Sequence, residues 1–223
     1  MKIGMVGAGS VGGGVYEIIH GRLGHAPTNH SNVSGPSNGF SSPSHGCCVI
    51  TKICVRDLNK ARNFHIDNQT TITTDIDDII YDENIDLVIE LIGGVDDAKR
   101  IVIESLKQGK SVVSANKILI AEYLDEIKEA ALIGDGKRSS YFAYEAAVGG
   151  GVPIIQAMHG CFSGDIIHEV MGITNCTANF MLEKMEKEGL NYNEALKMAQ
   201  DFGFDGPISS EGHDIAILAK LVR

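Results

Sequence analysis

Lys2-Ile3-Gly4-Met5-Val6-Gly7-Ala8-Gly9-Ser10-Val11-Gly12 is the stretch that decides the fold. Residues 2–6 form a short apolar run stopped by glycine, which reads as a buried strand. Residues 10–20 then place Val11, Val15, Ile18 and Ile19 at helical spacing. Between them, Gly7-Ala8-Gly9-Ser10-Val11-Gly12 has the form G-x-G-x-x-G. Directly after a strand and opening a helix, that pattern is a dinucleotide-binding turn. The first glycine makes the tight turn, the second lets the backbone approach a pyrophosphate, and the third packs helix on strand. Gly7, Ala8, Gly9, Ser10, Val11 and Gly12 are therefore expected to hold phosphates on free N–H groups at the positive end of a helix dipole.

Working outward, strands are expected at residues 49–55, 70–74, 85–92, 111–114 and 140–144. Helices are expected between the fourth strand and about Lys107, with Gly109 as its C-terminal glycine, and at about 118–132. Strands alternating with helices imply a parallel sheet with right-handed crossovers. The pattern changes after Gly149-Gly150-Gly151. A short helix from Pro153 to about Met158 precedes an expected strand near residues 166–173, and two helices follow. The second opens with a capping box, Asn191 with Glu194 three residues on. The expected fold class is α/β: a Rossmann-type parallel sheet over 1–145, then a differently patterned second domain over 146–223. Residues 24–48 are rich in Ser, Gly, Pro, Asn and His and offer almost nothing to bury. They read as a flexible surface loop. Their His25, His30, His45, Cys47 and Cys48 have no zinc-ligand spacing.

Composition excludes several classes. A formal net charge of −10 over 223 residues argues against a nucleic-acid partner, because phosphate binding wants surplus Lys and Arg. No apolar run reaches the roughly 18 residues of a membrane helix. Five cysteines without a CxxC pair indicate neither a disulfide framework nor a zinc site. The N-terminal apolar run is too short for a signal peptide, so the cytoplasm is the expected compartment.

The second strand of such folds usually ends in an acid that holds the ribose hydroxyls of NAD. Here Val55 is followed by Arg56 and Asp57, with Lys60 and Arg62 nearby. A guanidinium pairs with phosphate in a fork, so Arg56 favours the 2′-phosphate of NADP. Asp57 can still serve NAD.

Several longer motifs occur in register: Glu90-Leu91-Ile92-Gly93-Gly94, Ser114-Ala115-Asn116-Lys117, and the run from Glu145 through Gly149-Gly150-Gly151-Val152-Pro153 to Ile155. Gly172-Ile173-Thr174-Asn175-Cys176-Thr177-Ala178-Asn179-Phe180 and the Glu194-Ala195-Leu196 helix follow. With the glycine fingerprint they resemble homoserine dehydrogenase over nearly the whole chain outside 24–48. The resemblance implies hydride transfer between a nicotinamide cofactor and L-aspartate 4-semialdehyde, giving L-homoserine on the route to threonine and methionine. It places Gly93, Ser114, Asn116 and Lys117 at the cofactor and makes Lys117 the first active-site lysine. A lysine opening a helix opposes the dipole, so its placement needs a reason. Burial beside the cofactor would lower its pKa. The resemblance also assigns Glu145, Val148, Gly150 and Val152 to a monovalent cation such as sodium, a hard ion that prefers oxygen ligands.

The last stretch departs from the pattern. The family carries a substrate-binding glutamate and then, on a helix, an aspartate with the second lysine four residues on. Asp205 or Glu211 stands nearest to the glutamate, and Asp214 to the aspartate. In that register the lysine position, four residues after Asp214, is Leu218; taking Ile215-Ala216-Ile217-Leu218 as the family's following apolar run puts Asp214 there instead, so neither register gives a lysine. Lys220 comes six residues after Asp214, about 240° around a helix, and is a poor substitute. The resemblance makes 146–223 an incomplete α+β substrate and dimerisation domain: family dimers form through its sheet, of which this chain, stopping at Arg223, is expected to carry only part. Three readings follow: an NADP-dependent homoserine dehydrogenase, a non-catalytic nucleotide-binding remnant of it, or another Rossmann oxidoreductase acting on an amino-acid-derived carbonyl. Cofactor binding with weak turnover or none is the expectation.

Overall fold

The computed structural model describes residues 1–24, 48–134, 136, 140–172, 176–202 and 212–222. The loop expected at 24–48 lies almost entirely outside these residues, as do Asp205 and Glu211. The described chain divides into two compact units, one of Met1–Ser114 with Asp125–Ala143 and the other of Ala115–Leu124 with Tyr144–Arg223.

The first unit is built on six strands: β1 Lys2–Val6, β2 Val49–Cys54, β3 Thr71–Thr73, β4 Leu87–Glu90, β5 Ser111–Ser114 and β6 Phe142–Ala143. Every pairing is parallel, in the order β3-β2-β1-β4-β5-β6. The central strands are buried on both faces, which is why they read as apolar runs rather than as alternations. Helix α1 Ser10–Gly24 returns from β1, and its Tyr16 packs with Ile3, Met5, Ile50, Ile53, Val55 and Ile89. The Tyr16 hydroxyl accepts from the Asp67 N–H at 2.8 Å and meets Thr70 Oγ1 at 3.1 Å, so its polar end is satisfied inside that core.

A short helix α2, Asp77–Ile80, precedes β4 and was not expected from periodicity. Its signal is local: the Asp77 N–H donates to Asp75 Oδ1 at 2.9 Å and the Asp75 N–H to Thr73 Oγ1 at 3.1 Å, two side-chain turns in series. Helix α3, Asp96–Lys107, buries Ala98, Ile101, Val102 and Leu106 on one face. It stops where Gly109, with φ of 74°, donates to Leu106 O at 2.9 Å. The order of strands reverses between β1 and β4, the switch point beside which open α/β sheets bind ligands.

The second unit begins in helix α4, Lys117–Ile133, which is broken at Tyr123. Asn116 starts it by accepting the Leu119 N–H at 3.1 Å. A 3₁₀ turn at Glu145–Ala147 leads to α5 Ile154–His159, α6 Cys176–Glu188, α7 Tyr192–Asp201 and α8 Gly212–Leu221. Helices α6 and α7 share a small core of Met181, Ala195 and Ala199. The capping box is present: the Glu194 N–H donates to Asn191 Oδ1 at 3.1 Å, and the Asn191 N–H to Glu194 Oε2 at 3.0 Å.

The strand expected near 166–173 is not found among the described residues. Its apolar side chains are not buried, with Ile166 81 % and Met171 82 % exposed. A strand gains its stability from a neighbour's ladder, and the described part of this unit offers no strand for it to pair with.

Candidate functional site

The three glycines of the opening turn have three distinct geometries. Gly7 follows β1 with φ of 103°, a conformation that L side chains rarely adopt. Its N–H donates to Cys54 O at 3.0 Å, and a Cβ there would fall 2.5 Å from Leu91 O. Gly12 lies in the first turn of α1, where a Cβ would stand 2.3 Å from Gly7 O. Gly9 meets nothing within 4 Å, so its backbone faces open space. Strand and helix therefore approach as closely as glycine permits, and the turn between them presents bare backbone. Ser10 and Val11 stand in the exposed first turn of α1.

That backbone borders a cavity of about 580 Å³. Gly7, Ala8 and Gly9 line one side, and Arg56 and Gly93 line others. Arg56 reaches from the end of β2 to donate to Gly93 O at 3.4 Å. The loop after it is closed by Arg62, whose guanidinium donates to Asp57 O at 2.8 Å, Lys60 O at 3.0 Å and Leu58 O at 3.4 Å. Asp57 Oδ1 accepts the Asn59 N–H at 2.8 Å. The acid of this loop thus helps to build its own turn, and it lines the cavity together with Arg56, Lys60 and Arg62. Cys54 lies beneath, its thiol pushed up to about 11 by burial and by the nearby Asp75 and Asp78.

Sequence reasoning missed Glu90 as a candidate of its own. It closes β4 with no exposed surface. Its Oε1 accepts the Ile92 N–H at 2.9 Å, and Oε2 meets Ser114 Oγ at 2.5 Å. Burial pushes this carboxyl above its ordinary value, against the hydrogen bonds of Ser114 and Ile92. A glutamate inside the otherwise apolar run 87–92 was the signal available.

In the second unit Lys117 is not buried. Its side chain is 36 % exposed, and its Nζ stands 3.0 Å from Oδ2 of Asp214, which is 1 % exposed. The other Asp214 oxygen accepts the Gly149 N–H at 3.1 Å. Asp214 is therefore a buried partner of Lys117, with both oxygens occupied. Leu218, four residues along α8, is buried at 4 % exposure. Lys220 is half-buried on the same helix.

Glu145 is placed otherwise than a cation ligand alone would be. Its two carboxylate oxygens accept the Ile155 and Gln156 N–H groups, each at 3.0 Å, and so cap α5. The Val152 carbonyl accepts the Ile154 N–H at 2.8 Å, and the Val148 N–H donates to Glu145 O at 3.4 Å. Gly149 and Gly151, with φ of 61° and 85°, make the turn that also carries Gly150. Each of these oxygens keeps a second lone pair. Among the described residues no group of three or more His, Cys, Asp and Glu side chains forms a metal site, and no helix is long and apolar enough to cross a membrane.

Comparison with known proteins agrees with this geometry. A family model described as homoserine dehydrogenase, NAD binding domain, matches residues 7–137, and a second, described as homoserine dehydrogenase, matches 153–216. The homoserine dehydrogenase of Bacillus subtilis is 39 % identical over 99 % of this chain, and that of Synechocystis 34 % identical over 99 %. The chain spans 48 % of each. The crystal structure of a homoserine dehydrogenase from Thiobacillus denitrificans superposes with a TM-score of 0.78 at 30 % identity, covering all of this chain and 48 % of that one. A hyperthermophilic archaeal homoserine dehydrogenase in complex with NADPH shares the fold, with a TM-score of 0.74 at 20 % identity. The glycine turn, the parallel sheet around it and matches reaching into both units place this chain in the homoserine dehydrogenase family.

Proposed function

We propose that the chain interconverts L-aspartate 4-semialdehyde and L-homoserine with a nicotinamide cofactor, NADPH in preference to NADH. Residues 1–145 are read as the cofactor domain and 146–223 as the first part of the substrate domain. The observation that carries the reaction is the Lys117–Asp214 pair, an ammonium oriented by a buried carboxylate at the start of the helix that leaves β5. The cofactor, when bound, supplies or accepts the hydride. The chain's own task is to hold the aldehyde and stabilise the alkoxide that forms. Lys117 is assigned to that oxygen, giving it a proton in reduction and taking one in oxidation. Asp214 is assigned to orienting Lys117 rather than to the substrate.

Support for NADPH comes from the loop after β2. Three cations, Arg56, Lys60 and Arg62, line the cavity against the one loop acid there, Asp57, whose Oδ1 is engaged by the Asn59 N–H. A ribose hydroxyl needs an acceptor there, and a 2′-phosphate needs cations. A monovalent cation at Glu145, Val148, Gly150 and Val152 belongs to the same proposal, resting on the lone pairs those oxygens retain. No step is assigned to it.

One observation favours a second reading, a cofactor-binding chain without turnover. Leu218 is apolar and buried where the resemblance expects a lysine. Homoserine-dependent NADP⁺ reduction at alkaline pH separates the two. Turnover abolished in Lys117→Ala supports the enzyme. Turnover that survives Lys117→Ala refutes the role of that lysine. Cofactor binding with no turnover selects the second reading.

A further inference from the structure

A buried carboxyl is costly unless its oxygens find partners, and Glu90 finds two on different segments. Oε1 holds the Ile92 N–H, two residues beyond it, at the turn that lines the cavity. Oε2 holds the hydroxyl of Ser114, the last residue of β5. Glu90 and Ser114 are partners in the β4–β5 register, so the side-chain bridge continues the ladder past the last backbone pair. It ties the carboxyl ends of two strands and the turn after one of them into a single unit.

The position of that unit in the sheet matters. A dinucleotide lies across the switch point, its adenosine ribose over the end of β2, where Arg56 stands. Its other half then falls toward β4 and β5, on the far side of β1. We propose that Glu90 is a positioning residue for the nicotinamide half of the dinucleotide, acting by holding the Ile92–Gly93–Gly94 turn and Ser114 in one arrangement. This rests on the reading of the crevice as the cofactor site. Glu90 itself has no exposed surface and touches no ligand.

Both partners donate to the carboxyl, the Ile92 N–H to Oε1 and the Ser114 hydroxyl to Oε2, so its two oxygens fix two separate segments. A glutamine of the same shape keeps the contact with the Ile92 N–H and meets Ser114 through its amide N–H, because the hydroxyl can turn to accept. Aspartate is shorter by one methylene, about 1.5 Å, and cannot reach both partners.

The test is titration of the whole chain with NADPH and with 2′-phospho-ADP-ribose, which lacks the nicotinamide. Thermal melting is recorded alongside for the wild type and for Glu90→Ala, Glu90→Asp and Glu90→Gln. Glu90→Ala and Glu90→Asp are expected to weaken NADPH by about tenfold or more, and the truncated ligand by less than about threefold. Glu90→Gln is expected to bind both like the wild type. If Glu90→Ala does not fold, Glu90→Asp carries the same comparison. Equal weakening of both ligands makes Glu90 a general structural residue and overturns the proposal. Unchanged binding in both shortened variants overturns it as well. If the wild type binds neither ligand, the reading of the crevice fails, and this role with it.

Discussion

Gly9 and Gly12 stand three residues apart in one turn, and substituting alanine should do opposite things at the two positions. A methyl group at Gly12 would lie 2.3 Å from the Gly7 carbonyl oxygen, roughly 1 Å inside an ordinary contact, and the obstacle is backbone rather than a mobile side chain. The strand or the helix must move, so Gly12→Ala is expected to cost about 3 kcal/mol, at the upper end of the usual range for overpacking. For a chain of this size that lowers Tm by about 6–12 °C. At Gly9 a methyl group meets nothing within 4 Å, and φ is not in the left-handed region. The unfolded chain loses freedom with alanine, which helps by about 0.4–1 kcal/mol, and alanine is a poorer residue before a helix by a few tenths. The two nearly cancel, and Tm should move by less than about 2 °C. Binding should respond in reverse order of stability. The methyl at Gly9 occupies the space a pyrophosphate needs and removes charge-assisted contacts worth about 2–3 kcal/mol, so NADPH affinity should fall by about 30–150-fold. Melting curves and NADPH fluorescence titrations of the two variants check both halves. A Gly9→Ala variant that binds NADPH like the wild type refutes the placement of the phosphates. An unchanged Tm in Gly12→Ala refutes the packing argument.

Arg56→Ala should weaken NADPH by about tenfold or more while changing NADH by less than about threefold, read by competitive titration; equal losses would remove the 2′-phosphate assignment. Asn191→Ala should cost about 1 kcal/mol and lower Tm by about 2–4 °C, because it deletes the side-chain acceptor of the α7 capping box. Asp82 is held down to about 2, chiefly by the Lys52 ammonium and then by the Asn84 N–H. A carboxyl depressed in the folded state contributes stability that is present above its ordinary value of 3.8 and lost as pH falls toward about 2. Lys52→Met should therefore flatten the loss of stability across that window in acid titrations followed by circular dichroism.

Most of the first unit was legible because its signals are local. Apolar runs cut by glycine gave the strands, and Gly109 marked the end of α3 through a left-handed φ that its residue type accommodates. The capping box at Asn191 and Glu194 was readable because both partners lie within one turn. What the sequence could not show depends on residues far apart. Lys117 and Asp214 are 97 positions apart, and no periodicity connects them. The reason a lysine sits at the start of α4, left open by the dipole argument, is that distant carboxylate. The apolar residues at 166–172 misled for the converse reason, since their composition suits a strand but a strand needs a neighbour. Glu90 was quoted as part of a motif, yet its partner on β5 becomes visible only when the two strands are placed in register.

The face of α8 that carries Asp214 limits the chemistry open to the second unit. Residues four apart share a helix face, so the side chain beside Asp214 on α8 is Leu218, which is buried. Lys220 lies about 240° around from Asp214 and is directed elsewhere. The carboxylate of Asp214 therefore has one ammonium, from Lys117, and one amide, from Gly149. A lysine at position 218 would bring a second cation to the same acid, and two like charges sharing one partner push each other toward deprotonation. With leucine there, Lys117 and Asp214 form a single, balanced pair. If the chain reduces an aldehyde as proposed, this pair offers Lys117 as the source of the proton. The same pair explains why Lys117→Ala is not a neutral deletion. It leaves a carboxylate that is 1 % exposed with, among the described residues, the Gly149 N–H as its remaining partner, a state that costs about 3 kcal/mol or somewhat less, given that Lys117 itself is partly in water. Activity and stability should fall together in Lys117→Ala, whereas the double change Lys117→Ala with Asp214→Asn should recover stability without recovering turnover.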